Sequence, residues 1–286
     1  MTPEFTSCDW GTTNLRVRIV RDDAVIKETR SGQGASSLNS PQEFREALAA
    51  AMHAMGAPKP VVISGMAGSS IGWKELPYAR LPFRLDGSDA VVHEIEPDTF
   101  LISGVRSEDD VMRGEETELL GLEVDREDAV VILPGTHSKH CVLKNGSMLA
   151  FRTFMSGELH ALLGSHGILR QSVAPGWDEA AFIEGIDEST HGSLTSSLFK
   201  VRTRTLLHGK SPESNGSFLS GLLIGSELSA LPKDLPLVLA AAGAIANPYR
   251  IAFRALGLDA RSHILSEDEA AVLAVRGQRK ILEQRA

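Results

Sequence analysis

The chain has 286 residues, 42% of them apolar and 23% charged, which excludes a disordered or fibrous protein and suits two globular domains of ~100 to 200 residues each. With 29 basic and 37 acidic residues the net charge is −8, and no Lys/Arg cluster is present to neutralise a phosphate backbone, so nucleic acid is not an expected partner. Cys8 and Cys141 are the only cysteines. With no disulfide framework, no apolar run near ~18 residues and no apolar leader between Met1 and Gly11, the expected setting is a reducing cytoplasm without membrane contact.

Phe5 to Thr29 reads as strand, turn, strand, turn, strand, with Gly11-Thr12 at the first turn and Asp22-Asp23 at the second. Ser40-Pro41-Gln42-Glu43 then offers a cap, a first-turn proline and a capping-box glutamate. The helix it opens carries Phe44, Leu48, Ala51, Met52 and Met55 on one face. Pro60 to Ser64 and Phe100 to Ser103 are short apolar runs expected as buried strands. A strand ends in glycine and charge follows between Ser103 and Ser107, so the domains are drawn as 1–105 and 106–286. A helix is expected from about Asp110 to Leu122.

Ala129 to Thr153 repeats the opening design, with Gly135-Thr136 at its first turn and Asn145-Gly146 at its second. Asn-Gly is a strong signal for a type I′ hairpin, which needs positive φ at both central residues. Ser156-Gly157-Glu158 leads into a helix-like stretch with Leu159, Leu162, Leu163 and Leu169. There follow a helix from about Phe218 to Leu231, a buried strand from Leu235 to Ala242, a helix from Pro248 to Leu256 and a strand near His263 to Leu265. A last helix starts at Ser266, with Glu267 to Glu269 suiting its dipole, and is free to pack back on the first domain. Two βββα units imply a duplicated α/β domain, with the two Gly-Thr turns facing each other across a cleft.

A glycine followed by small hydroxyl residues lets backbone N–H groups converge on an anion. Two such turns, Gly11-Thr12-Thr13 and Gly135-Thr136, suit a polyphosphate. Asp9 can hold a hydrated Mg²⁺ or serve as a simple turn cap. Lys139 offers a phosphate a charge, unless it is an exposed strand lysine. His137, His140 and Cys141 lack a fourth ligand, so zinc is not expected. His208-Gly209-Lys210-Ser211 ends like a P-loop, but Arg204 stands where the first glycine is required. Gly68-Ser69-Ser70-Ile71-Gly72 has the spacing of a nucleophile elbow, yet Gly72-Trp73 and Pro77 interrupt the helix such an elbow needs.

Asp9-Trp10-Gly11-Thr12-Thr13-Asn14-Leu15-Arg16 and Leu133-Pro134-Gly135-Thr136-His137-Ser138-Lys139 resemble the two phosphate motifs of the sugar-kinase, heat-shock chaperone and actin superfamily. Ala241-Ala242-Gly243-Ala244 followed by Tyr249 is similar to its adenosine motif. More narrowly, Gly65-Met66-Ala67-Gly68-Ser69 with Gly72-Trp73 and Pro77-Tyr78, then Asp110-Val111-Met112-Arg113-Gly114-Glu115-Glu116-Thr117, then Thr153-Phe154-Met155-Ser156-Gly157-Glu158-Leu159 resemble the 2-dehydro-3-deoxygalactonokinases. Ile71, His140 and Ala242 depart from that family's usual polar, aromatic and glycine residues.

The resemblance implies two duplicated ribonuclease H-like (actin-like ATPase) α/β domains around an interdomain cleft. ATP and Mg²⁺ are the implied cofactors, and the substrate a six-carbon 2-keto-3-deoxy acid phosphorylated on its terminal C6 hydroxyl. Asp9, Gly11, Thr12, Thr13, Arg16, Gly135, Thr136, Ser138, Lys139, Gly243 and Ala244 form the implied nucleotide set, with Asp9 at the metal. In related sugar kinases the base is an acidic residue opening a helix before the second phosphate hairpin, the place of Glu115 here, with Glu116 and Asp110 as substitutes. Ser69, Trp73, Tyr78 and Arg84 are candidate contacts to the acid, Arg84 and Arg16 candidate anion partners, and the competing reading packs Trp73 and Tyr78 into a core. A kinase for another 2-keto-3-deoxy acid and a non-catalytic ATP or sugar sensor are the alternatives, and a homodimer is compatible with the sequence.

Overall fold

The computed structural model describes residues 4–22, 24–123 and 128–285; Asp23 of the second turn signal lies outside them. The chain divides into two units, one of Met1–Glu127, Leu143–Phe151 and Asp268–Ala286, the other of Asp128–Val142 and Arg152–Glu267.

In the first unit, β1 (Phe5–Trp10), β2 (Leu15–Arg21) and β3 (Ala24–Ser31) form an antiparallel meander. β1 also pairs in parallel with β4 (Val61–Gly65), which pairs in parallel with Thr99–Ile102, and Val92–Glu96 closes the edge antiparallel. Every residue of β4 is buried, as its Val-Val-Ile run requires in a strand covered on both faces. β3 lies at the opposite edge and carries Lys27, Glu28 and Arg30, charges that discourage further pairing there.

The predicted cap forms, with the glutamate reaching one residue further back than in a capping box. Ser40 Oγ accepts the Glu43 N–H at 3.3 Å, Glu43 Oε2 accepts the Asn39 N–H at 2.9 Å, and Gly56 ends α1 (Pro41–Met55) at φ 65°. α1 buries Phe44, Ala47, Leu48 and Met55. Trp10 lies 4.9 Å from Phe44, and Trp73 is 6.1 and 6.3 Å from those two rings, ring centre to ring centre, and only 5% exposed. Trp73 is therefore a core residue rather than a sugar contact, its indole enclosed by protein.

The helix expected from Asp110 is shorter and later. Val111–Met112 is a two-residue strand, Gly114 takes φ 110°, and only Glu115–Leu120 (α2) is helical. A helix cannot run through a residue at that φ, which favours glycine. The expected final helix forms as two pieces, Glu267–Ala271 and Leu273–Glu283. The second piece packs on α2 within the first unit, so closely that a Cβ on Gly277 would lie 1.8 Å from the Thr117 carbonyl oxygen. Residues 106–123 cluster with the first unit, where α2 packs on Leu273–Glu283.

In the second unit, Ala129–Leu133 pairs in parallel with Leu237–Leu239, and that strand in parallel with Ser262–Ile264. Ser138–Lys144 lies next to Ala129–Leu133 in the sheet. The Asn145-Gly146 turn has φ 50° and 72°, as the type I′ reading requires. The hairpin tip clusters with the first unit, where Ser147 and Met148 pair with Arg84 and Phe83. Pro212–Leu228 is the central helix of the second unit, begins earlier than expected, and packs against Glu179–Ser189, a helix not anticipated from sequence. Among the described residues no helix is long and apolar enough to cross a membrane.

Candidate active site

Asp9 sits near the carboxyl end of β1, opposite Arg16 on β2 and Ser64 on β4. The carboxyl ends of parallel strands are where open α/β sheets bind ligands. The Gly11-Thr12-Thr13 turn beyond it is braced from behind: the Gly11, Thr12 and Thr13 carbonyls accept N–H groups of Ala35, Ser36 and Gly34 at 3.0, 2.9 and 3.2 Å. Thr12 and Thr13 themselves are exposed.

The Asp9 side chain is 41% exposed and its nearest cation, Arg16 Nη1, is 3.9 Å away. The protein packed around it raises its pKa; Arg16 and Arg18 oppose the shift, while Glu115 and Glu28 add to it. Arg18 is committed elsewhere, donating to Glu28 at 2.7 Å. Behind Asp9, the buried Gln278 of the C-terminal helix donates to the Cys8 carbonyl at 3.1 Å and to Ser64 Oγ at 3.0 Å, tying β1 to β4.

The start of α2 gathers carboxylates. Glu115 Oε2 accepts the Arg113 N–H at 3.0 Å, and Glu116, buried, accepts the Gly114 N–H at 2.6 Å and the Thr117 hydroxyl at 2.9 Å. Burial, then the Glu115 charge, pushes Glu116 up to about 7. Burial, then Glu115, Asp9 and Glu116, pushes Glu118 up to about 8, against the pull of Arg18. Asp9, Glu115 and Glu118 therefore share one electrostatic environment. Asp110 shapes the preceding turn, with its N–H on Ser107 Oγ at 2.9 Å and its Oδ1 accepting the Val111 N–H at 2.7 Å.

Both raised carboxyls hold protons in the folded chain that they release when unfolded, where the ordinary value is 4.5. The stability this brings is full below that value and is lost as pH climbs through about 7 and then about 8. Melting temperature is expected to fall between pH ~4.5 and ~8, and Glu116→Gln to flatten the part of the decline below about 7. A variant with the parental slope would assign the decline to other groups.

In the loop after β4, Ser69 Oγ donates to the Met66 carbonyl at 2.7 Å and is buried. Tyr78 lies beneath the Arg113 guanidinium, 4.2 Å from ring centre to Cζ, and Arg113 Nη1 donates to the Gly68 carbonyl at 2.7 Å. Arg84 is held by Asp89 through two bonds of 2.9 and 2.6 Å, so its charge is already matched.

The second unit brings the Gly135-Thr136 turn against a helix start. Gly157 lies so close that a Cβ there would be 2.5 Å from the Gly135 carbonyl oxygen, and the Glu158 N–H bonds the Thr136 carbonyl at 3.0 Å. His137 Nε2 and Glu158 Oε2 are 2.5 Å apart at the rim. Ser138 and Lys139 are both buried, not exposed: Lys139 Nζ bonds the His137 carbonyl at 2.9 Å, and Ser138 Oγ donates to Glu227 at 2.7 Å. Glu227 also lies 3.0 Å from His140 Nε2 and receives the Tyr249 hydroxyl at 2.8 Å. Although burial works the other way, the hydrogen bonds from His140, Ser156 and Ser138 hold its pKa below the ordinary value, so the carboxylate stays charged. This anchor beneath the turn was not anticipated; its only signal in the sequence is one acid within a run of Leu, Ile and Gly.

Gly243, at φ 68°, and Ala244 are exposed in a short turn after Leu237–Leu239. In the same unit a cavity of about 410 Å³ is lined by His160, Gly164, Trp177, Gly216 and Pro248 among others. Trp177 was likewise not singled out from sequence, where a lone tryptophan in a Pro-Gly turn carries no period.

Two α/β units, each opening on a meander with a Gly-Thr turn, define the fold of the actin-like ATPases and sugar kinases. The chain is 32% identical to the 2-dehydro-3-deoxygalactonokinase of Escherichia coli (strain K12) over 269 residues, 91% of this chain and 92% of that one. A crystal structure of a Sinorhizobium meliloti protein assigned as a 2-dehydro-3-deoxygalactonokinase superposes with a TM-score of 0.85 at 32% identity, covering 97% and 99% of the two chains. At 13% identity, component A of the Acidaminococcus fermentans (R)-2-hydroxyglutaryl-CoA dehydratase shares the fold with a TM-score of 0.50, covering 98% and 99%. The model of the 2-keto-3-deoxy-galactonokinase family matches residues 9–277, and the chain belongs to that family.

Proposed function

We propose that the protein is a cytoplasmic, ATP- and Mg²⁺-dependent kinase that phosphorylates the C6 hydroxyl of 2-dehydro-3-deoxy-D-galactonate. The observation that carries this reading is the placement of Asp9 and Glu115 in one electrostatic environment beside a braced Gly-Thr turn. The family and the E. coli relative's name support the substrate.

In this reading each unit's Gly-Thr turn, Gly11-Thr13 in the first and Gly135-Thr136 in the second, offers backbone N–H groups to phosphate. Gly243, Ala244 and the cavity beside Trp177 receive the adenosine. Asp9 fits a hydrated Mg²⁺: its carboxylate is open at the end of a strand, with its nearest cation 3.9 Å away. Among the described residues no three acidic, His or Cys side chains cluster to hold a metal, and Mg²⁺ ordinarily keeps several waters beside one or two carboxylates. When bound, the metal neutralises charge on the transferring phosphoryl group. Glu115 takes the proton of the C6 hydroxyl, whose oxygen forms the new bond to the γ-phosphorus as the bond to the ADP oxygen breaks. Glu116 is less suited, being buried with both oxygens engaged by Gly114 and Thr117, and Glu118, at about 8, is largely protonated at neutral pH.

A coupled ADP-release assay over a panel of sugars and sugar acids tests this. Turnover is expected with 2-dehydro-3-deoxy-D-galactonate and to exceed that with its C4 epimer. Turnover of neutral hexoses alone would overturn the substrate, and ATP binding without turnover of any acceptor would favour the sensor.

A further inference from the structure

We propose that Arg113 binds the carboxylate of the sugar acid and so selects an acid over a neutral sugar; this rests on the function proposed above. Three arginines near Asp9 and the loop after β4 already have carboxylates: Arg84 has Asp89, Arg18 has Glu28, and Arg16 has Asp9 and Glu28 at 3.9 Å each. Among the described residues the Arg113 guanidinium has no carboxylate in ion-pair range. One N–H group reaches the Gly68 carbonyl, and the Tyr78 ring lies against its face. Those contacts fix the plane of the guanidinium and leave its Nε and Nη2 donors without a protein acceptor among the described residues.

Position supports the same conclusion. Arg113 joins the loop after β4 to the start of α2, and a Cβ on Gly114 would sit 3.5 Å from Gly65, the last residue of β4. Arg113 and Glu115 are two residues apart, at most about 7 Å between Cα atoms. A six-carbon acid has its carboxylate at C1 and its reacting hydroxyl at C6, so one short segment offers a cation for one end and a base for the other. A planar, half-buried guanidinium matches a carboxylate with two parallel hydrogen bonds, which an ammonium cannot reproduce.

The test compares 2-dehydro-3-deoxy-D-galactonate with its primary amide, which is the same size and uncharged. For Arg113→Ala, KM for the acid is expected to rise about 10- to 100-fold, the usual cost of a lost charged hydrogen bond, with KM for the amide nearly unchanged. Arg113→Lys should lie between, and added guanidinium should restore part of the acid's advantage to the Ala variant. If acid and amide lose equally in both variants, Arg113 merely braces Tyr78 and the proposal falls alone. If the parent protein turns over no 2-keto-3-deoxy acid, the function fails first and takes the proposal with it.

Discussion

Glu115→Gln is expected to lower kcat by about 10²- to 10⁴-fold, the span of a lost general base, while KM for both substrates stays near the parental value. Glutamine keeps the size of the side chain and can still accept the Arg113 N–H, so the start of α2 should survive. What it cannot do is take a proton. Glu116→Gln and Glu118→Gln should be milder, since Glu116 has both oxygens engaged by its neighbours and Glu118 is largely protonated at neutral pH. Steady-state kinetics on the three variants decides the order. A larger loss at Glu118 would move the base one turn along the helix, and near-normal rates in all three would exclude α2 as its source.

Asp9→Asn should cost about 10²- to 10³-fold in turnover, comparable to losing one electrostatic contact to developing charge, with little change in nucleotide affinity. The backbone of the Gly11-Thr13 turn, held by residues 34–36, does not depend on that carboxylate. Equilibrium ATP binding measured beside turnover separates the two effects. Parental turnover in the variant would make Asp9 no more than a turn cap.

What the sequence made legible was chemistry settled within a few residues. The cap at Ser40 to Glu43 and the Asn145-Gly146 turn formed because their donors, acceptors and φ values are local. Both meanders could be read from extended runs broken by turn signals for the same reason. The Asp110 helix failed because its pattern ignores Gly114, whose backbone lies against β4 at positive φ. Trp73 and Ser138 are residue types met both on surfaces and in cores, and Lys139 is buried against the usual preference of lysine, so only the fold decides. Gln278 bonds Cys8 across 270 positions, and Glu227 bonds Ser138 across 89; no periodicity carries such pairings.

The helix Leu273–Glu283 has a consequence for the order in which the protein is made. Gly277 lets it lie against α2, and Gln278 ties β1 to β4 directly behind Asp9. The ribosome therefore releases the whole second unit before it releases the segment that completes the first. A nascent chain can form the opening meander early, but the ties behind Asp9 come only once residues 273–283 have emerged. Closing so long a loop is slow compared with local contacts, so competence for the reaction arrives late in synthesis, and a chain cut short before residue 273 lacks it.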